Sequence, residues 1–435
     1  MYSSYELLLA ELDLREQQGV DGVVLAGIRT AVSHTPDADL TAHWQQLEML
    51  KPAPGWPYYE PISLADIQAT LPPAAQLAEA QDVAQRVHGG VLGRCAGMML
   101  GKPLEGTNPP AQIWAYLRRA GAYPLRDYVP LLEPLPDDIA VPAWSRWHDT
   151  TLGNIGGTVR DDDIDYMIAA LLILQRYGFE FTPADVGQFW LNHFAYEQVY
   201  TAERVLYRHL VNGVDVATAV TLQNPYREWI GAQIRADVYG YVWPGQPRRA
   251  AALAYQDASL SHVQNGVYGA MWVAAMVAAA FVLDDVEAIV RAGLAEIPPQ
   301  SRLAEAIGDV LVWVEEEVSW EGVWQRIEGK YGRYYKTDEG TNWVHTIPNA
   351  CLVALGLLYG KGDFGVSVGT AVMGGWDTDC NGATVGSILG VMLGVEGIPA
   401  RWAEPLDDKI ESSISGYNRL TISGLAQEIA ALVKR

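Results

Sequence analysis

From about residue 81 to the end of the chain, apolar residues recur at intervals of three and four, and no succession of segments alternates with a period of two. No Asn-Gly or Asp-Gly pair bounds a run of strands either. This pattern predicts an all-α chain. "PADVGQFWLNHFAYEQVYTAERVLYRHLVNG" reads as two helices, and "RAAALAYQDASLSHVQNGVYGAMWVAAMVAAAFVL" as a second pair, rich in the Ala and Gly that let helices pack closely. Further helices follow in "SRLAEAIGDVLVWVEEE", "SWEGVWQRIEGKYG", "HTIPNACLVALGLLYG" and "DFGVSVGTAVMG". The expected architecture is a large multi-helix bundle with loops at one end. Its longest interruption is the proline-rich stretch 125–149, and a loop of that length in a compact domain is often functional.

Residues 1–80 differ. "MYSSYELLLAELDLREQQ" places Tyr5, Leu8, Leu9 and Leu12 at helical spacing, and carries Glu6, Glu11 and Asp13 where a secretory signal has a basic start. The following "KPAPGWPYYEPISLADIQATLPPAAQ" holds too many prolines for one long helix. The division expected is a helical N-terminal extension, 1–80, and a main domain, 81–435. Hydrophobic residues make up 49% of the chain and charged ones 19%, enough for a large buried core. "GAMWVAAMVAAAFVL" and "GSILGVMLGV" fall short of the ~20 residues of a membrane span. A net charge of −22 repels nucleic acid and anionic lipid, which excludes both as general partners. Cys95, Cys351 and Cys380 are few, odd in number and far apart, which suits a reducing cytoplasm.

The chemistry concentrates in two acidic junctions. "GGTVRDDDIDYMIAALLIL" packs Asp161, Asp162, Asp163 and Asp165 into five positions at the start of an apolar helix. A helix N-terminus favours one or two acidic residues, but its dipole supplies only about half a unit of positive charge. "VMGGWDTDCNGATVGSILG" repeats the design with Asp377 and Asp379 before a helix too apolar to solvate them. If the junctions converge, five or six carboxylates share one pocket, and hard divalent cations relieve the repulsion. Two Mg²⁺ or Mn²⁺ ions need about this number of oxygens. Neither a zinc spacing nor a calcium loop is present.

Three blocks in order give the chain a resemblance to the ADP-ribosylglycohydrolase family, of the dinitrogenase-reductase-activating type, over roughly 85–400. "GGVLGRCAGMMLGKPLEG" resembles the family's Gly-rich helix ending in Pro-x-Glu. "VRDDDIDYM" is similar to its Thr-Asp-Asp-Thr, and "GGWDTDCNGATVGSILG" to its Gly-Gly-Asp-Thr-Asp-Thr. "YQDASLSHVQNG" is similar to its Asp-Ala-x-x-Thr-His segment. The resemblance implies an all-α fold, two Mg²⁺ or Mn²⁺ ions, and hydrolysis at C1 of the terminal ribose of ADP-ribose. It aligns Asp162 and Asp163 with the family's Asp pair, puts Asp161 at a ligand threonine, and matches Asp377 and Asp379 to two ligand aspartates. Cys380 stands at the last ligand threonine, although a thiol is a poor ligand for Mg²⁺. Glu105 matches the glutamate beside the metals, which contacts substrate and opens or closes the site. Met98 replaces an aspartate found in many members, and Trp376 intrudes beside Asp377 as a pocket wall.

Glu105, Asp377 and Asp379 are thus the expected catalytic residues. Asp377 or Asp379 orients the water, and Glu105 assists the leaving group or gates entry. Trp376, Arg235 and His262 are candidate substrate contacts, with Arg235 the candidate for phosphate. A structural role competes at His262, His345 and Asn349. The 15 Trp and 22 Tyr, against 6 Phe, suit pocket rims and base stacking. The expected partner is a small ADP-ribosyl or ribosyl compound, with an ADP-ribosylated protein as its larger form, and an oligomer stays open. Two other functions stay open as well. One is hydrolysis of a nucleoside or other small riboside, the other a non-catalytic binding role on the same fold.

Overall fold

The computed structural model describes residues 3–34, 40–106, 109–334, 336–337, 340–341 and 343–434. Helices dominate it, and the strands among the described residues are two-residue pairs: Lys336–Thr337 with Gly340–Thr341, and Ile410–Glu411 with Arg419–Leu420. Six helices carry or brace the site, and a seventh, α1 (Ser4–Gln17), belongs to the N-terminal extension. In chain order the six are α2 (Val83–Gly101), α3 (Asp162–Tyr177), α4 (Thr201–Val211), α5 (Gln264–Ala280), α6 (Thr346–Gly360) and α7 (Thr378–Leu393). The predicted helix pairs are present, as Pro183–His193 with α4 and as Pro247–Ala258 with α5.

The centre is built from helices that are apolar all round. Every residue of α5 from Asn265 to Ala280 is buried, and α6 is buried from Thr346 to Leu358. Such helices have no polar face to offer water, so they lie inside. Among the described residues, no helix is long and apolar enough to cross a membrane.

Helices α2 and α7 meet antiparallel, backbone on backbone. Gly89, Gly93, Gly97 and Gly101 recur every four residues along α2. They face Gly390, Gly386, Gly382 and Thr378 of α7. A Cβ added to Gly97 would stand 1.9 Å from the Gly382 carbonyl oxygen, and one on Gly93 2.1 Å from that of Gly386. Only glycine permits this approach. The contact puts the C-terminal end of α2 beside the first turn of α7, and the Thr378 hydroxyl donates to the Gly101 carbonyl at 2.8 Å.

The N-terminal extension is tied to the rest of the chain. Ser3 and Glu6 form a capping box at the start of α1. Leu8 and Leu12 of α1 join Leu25, Ile28, Trp44 and Leu47 in a small core that also takes in Ala202 and Val205 of α4. Between Met49 and Val83 the chain forms one helix, the seven-residue Leu64–Thr70. Glu60 reaches the buried Arg302 at 2.7 Å, and Arg302 also binds Glu228 at 2.7 Å.

Candidate active site

Three chain segments converge at one end of the bundle. The first continues α2 through a 3₁₀ turn, Lys102–Leu104, to Glu105. The second is the start of α3, where Asp161 is the N-cap and accepts a hydrogen bond from the Asp163 backbone at 2.9 Å. The third is the start of α7. There Gly375 at φ +79° and Trp376 at φ +59° turn the chain so that Asp377 and Asp379 enter the cluster. A bulky residue rarely occupies that left-handed region, so the turn at Trp376 is strained. Asn349 of α6 holds it from behind, accepting from the Asp377 backbone at 3.2 Å and from Asn381 at 2.8 Å.

Lys102 stands in the middle of the carboxylates. Its ammonium lies 2.6 Å from Asp161, 2.7 Å from Glu105 and 3.0 Å from Asp379. Burial would lower its pKa, but these three anions raise it well above the ordinary value. Arg94 braces the cluster from inside α2, binding Asp163 and Asp237 at 2.8 Å each. One lysine does not neutralise so many acids. Burial, with Asp379 and Asp161 adding to it, raises the Glu105 carboxyl well above the usual range despite Lys102. Burial and the neighbouring Asp379 and Glu105 do the same to Asp377. Asp162, buried and beside Asp161, is pushed up to about 7. Asp161 is lowered, because Lys102 and the Asp163 backbone outweigh its burial.

This surplus of anions has the chemistry of a hard-cation site. Asp161, Asp163 and Asp379 each offer an oxygen within 4.8 Å of one another, as do Asp377 and Asp379 with the Cys380 sulfur. Asp163 Oδ2 and Asp377 Oδ1 are buried without a hydrogen-bond partner among the described residues, which costs free energy unless a cation meets them. The donors are carboxylate oxygens, which suit Mg²⁺ or Mn²⁺. Cys380 fits less well. Burial and the surrounding carboxylates keep its thiol protonated, and a neutral thiol is a poor ligand. Asp165 stands apart from the cluster. It accepts from Ser412 and the Ser413 backbone at 2.8 Å and pairs with Arg160.

Above the carboxylates opens a cavity of about 650 Å³. Lys102, Glu105, Asp161, Asp162, Asp377 and Cys380 line its floor. Aromatic side chains line the walls: Trp144, Tyr166, Tyr200, Trp229 and Trp343. Arg146, paired with Asp149 and Glu411, and Arg160, paired with Asp165, also line the cavity. Trp144 and Arg146 belong to the long proline-rich stretch, which therefore reaches the cavity. The Tyr166 hydroxyl is buried with no hydrogen-bond partner among the described residues.

Three of the expected substrate contacts do not line this cavity. Arg235 is locked in the protein, 2.5 Å from Asp257 and 2.6 Å from Glu203, so it is not a phosphate contact here. The segment Ile230–Arg235 forms a 3₁₀ helix that gives Ile230 and Ile234 to the cavity and buries Gln233 and Arg235. His262 is wholly buried and accepts or donates at 2.7 Å to Ser261; burial and Arg235 keep its pKa well below the ordinary value, so it is neutral. Trp376 shapes the turn, but it is not among the lining residues. His345, also neutral with a pKa pushed down to about 3 mainly by burial, caps α6.

Residues that sequence reasoning passed over complete the site. Lys102 and Glu105 sit on one turn, three residues apart, and Arg160 directly precedes Asp161. Those adjacencies were the available signal. Glu203, Trp229 and Trp343 gave none.

The ADP-ribosylglycohydrolase family model matches residues 79–435. No curated protein matches the chain. A solved structure described as an "ADP-ribosylglycohydrolase-related protein complex" is similar at 18% identity, covering 81% of this chain and 99% of its own, with a TM-score of 0.49. The family match spans both acidic junctions and Glu105. On that match, the chain belongs to the ADP-ribosylglycohydrolase family.

Proposed function

We propose that this chain is a hydrolase that uses a hard divalent cation, Mg²⁺ or Mn²⁺, to cleave an ADP-ribosyl bond at the ribose C1 carbon. The observation that carries the reading is the clustering of Asp161, Asp163, Asp377 and Asp379 next to an aromatic-walled cavity whose lining includes Glu105, Asp161, Asp162 and Asp377. When bound, the cation supplies Lewis acidity and a charge that fixes the ribose hydroxyls. Asp163, Asp377 and Asp379 would hold it, with Asp161 and Asp162 beside them.

The remaining work falls to side chains of the chain itself. Departure of the group at C1 builds positive charge on the sugar, which the anionic floor stabilises. Glu105, whose carboxyl burial and the neighbouring Asp379 push above the usual range, is placed at the cavity to act as general acid toward the leaving group. Asp377 or Asp379 orients the attacking water and takes its proton. The unpartnered Tyr166 hydroxyl is a donor for a substrate oxygen. Trp144, Trp229 and Trp343 offer faces for a nucleobase. Arg146, paired with Asp149 and Glu411, and Arg160, paired with Asp165, line the walls, and a diphosphate would exchange with those carboxylates.

The test sets ADP-ribosyl-arginine, ADP-ribosyl-serine, O-acetyl-ADP-ribose and simple nucleosides side by side, with Mg²⁺, with Mn²⁺ and after chelation. Turnover of an ADP-ribosyl compound that stops on chelation and returns with the ion is expected. Glu105→Gln should lower kcat by about 10²–10⁴-fold, the usual share of a general acid. Turnover of nucleosides alone would replace the substrate class. Unchanged turnover and metal content in Asp377→Ala would overturn the metal-centred chemistry.

A further inference from the structure

We propose that Lys102 permanently takes the place of one cation in the carboxylate cluster, so that the chain binds a single hard divalent ion and not a pair. This rests on the reading that the cluster binds such an ion at all.

The positions argue it. The Lys102 ammonium touches Asp161 Oδ2 at 2.6 Å, Asp379 Oδ2 at 3.0 Å and Glu105 Oε2 at 2.7 Å. A Mg²⁺ ion shared by those same oxygens would stand about 2.0–2.1 Å from each. That point falls inside the volume of the ammonium, so the two are mutually exclusive. Three carboxylates hold the Lys102 ammonium in place. The side chain is 7% exposed, and its turn follows Gly101, where an added Cβ would lie 2.2 Å from the Thr378 carbonyl oxygen. The backbone of the lysine is therefore pinned against the start of α7.

What remains provides for one ion. Among the described residues, Asp163 Oδ2 and Asp377 Oδ1 are carboxylate oxygens of the cluster that are buried and have neither a hydrogen-bond donor nor the lysine against them. Asp379 belongs to both ligand groups and joins them. The lysine differs from an ion in one useful way. It cannot be chelated, so it keeps Glu105 and Asp161 together before any metal arrives.

Mn²⁺ binding to the full chain, counted by equilibrium dialysis and read by electron paramagnetic resonance, tests this. One Mn²⁺ per chain with an uncoupled six-line spectrum is expected. Lys102→Met and Lys102→Gln should each admit a second ion and give the spin-coupled spectrum of a pair about 3.5–4 Å apart. Two coupled ions in the unmodified chain would overturn the inference and leave the metal-dependent reading intact. No bound Mn²⁺ would overturn both. A folded Lys102 variant that still takes one ion would also overturn it. Should neither variant fold, the count in the unmodified chain decides alone.

Discussion

Arg235 carries two buried carboxylates at once. Its guanidinium binds Asp257 and Glu203, donates to the Ser261 hydroxyl at 2.8 Å, and lies 5.6 Å from the centre of the Tyr166 ring that faces the cavity. Removing it strands two acids where water does not reach. Arg235→Ala should cost about 3–5 kcal/mol, the usual penalty for breaking a buried pair. A lowered urea midpoint would record it, whereas a phosphate contact at the surface would raise KM and leave the midpoint alone. The aspartates were legible in the sequence because crowded like charges demand a counter-charge, whatever the fold. Arg235 was not, because polar residues at alternate positions read as a rim until a 3₁₀ turn is seen to bury them. Lys102 could be read as a neighbour of Glu105, but its place among the aspartates could not. One lysine among 30 basic residues acquires meaning when three distant segments close around it.

At the scale of elements, the N-terminal extension depends on ionised carboxylates. Glu11 of α1 binds Arg227 at 2.6 Å, and Glu228 binds Arg302 together with Glu60. Burial alone would raise the pKa of both Glu11 and Glu228. Arg227 and Arg15 outweigh it at Glu11, and Arg302, Gln18, His345 and Asn265 at Glu228, so both lie below the ordinary glutamate value of 4.5. A depressed carboxylate stabilises the fold above its unfolded pKa, and that stability is lost as pH falls through the folded one. The extension should therefore loosen first when pH drops below 4.5. Hydrogen exchange should rise in α1 before it rises in α5, and Glu11→Gln should flatten that pH dependence. Simultaneous exchange in both helices would contradict it. The helices of the extension could be read locally, from capping and spacing. Their anchors could not, since Glu11 and Arg227 lie 216 residues apart.

For the molecule as a whole, charge and substrate are opposed. The chain carries −22, and an ADP-ribosyl compound is itself anionic. The long-range field slows encounter at low ionic strength and is screened beyond about 10 Å at 0.1 M salt. Hence kcat/KM should rise as salt increases from about 0.01 M to 0.1 M, a range over which the screening length shortens from about 30 Å to 10 Å. A neutral nucleoside should show no such rise, so the salt profile also separates the two substrate classes. The helical architecture was legible from end to end because 3.6-residue periodicity is a local property. The cavity was not, because its walls come from 143–166, 200–203, 229–234 and 343–344, segments that tertiary packing alone assembles. One consequence follows from the glycine seam between α2 and α7. Where main chain rests on main chain, no side chain exists whose trimming or lengthening could retune the gap between Glu105 and Asp379. Variation in what such a protein accepts must then arise in the tryptophans and arginines around the mouth, while the spacing of the reacting groups beneath is inherited unchanged.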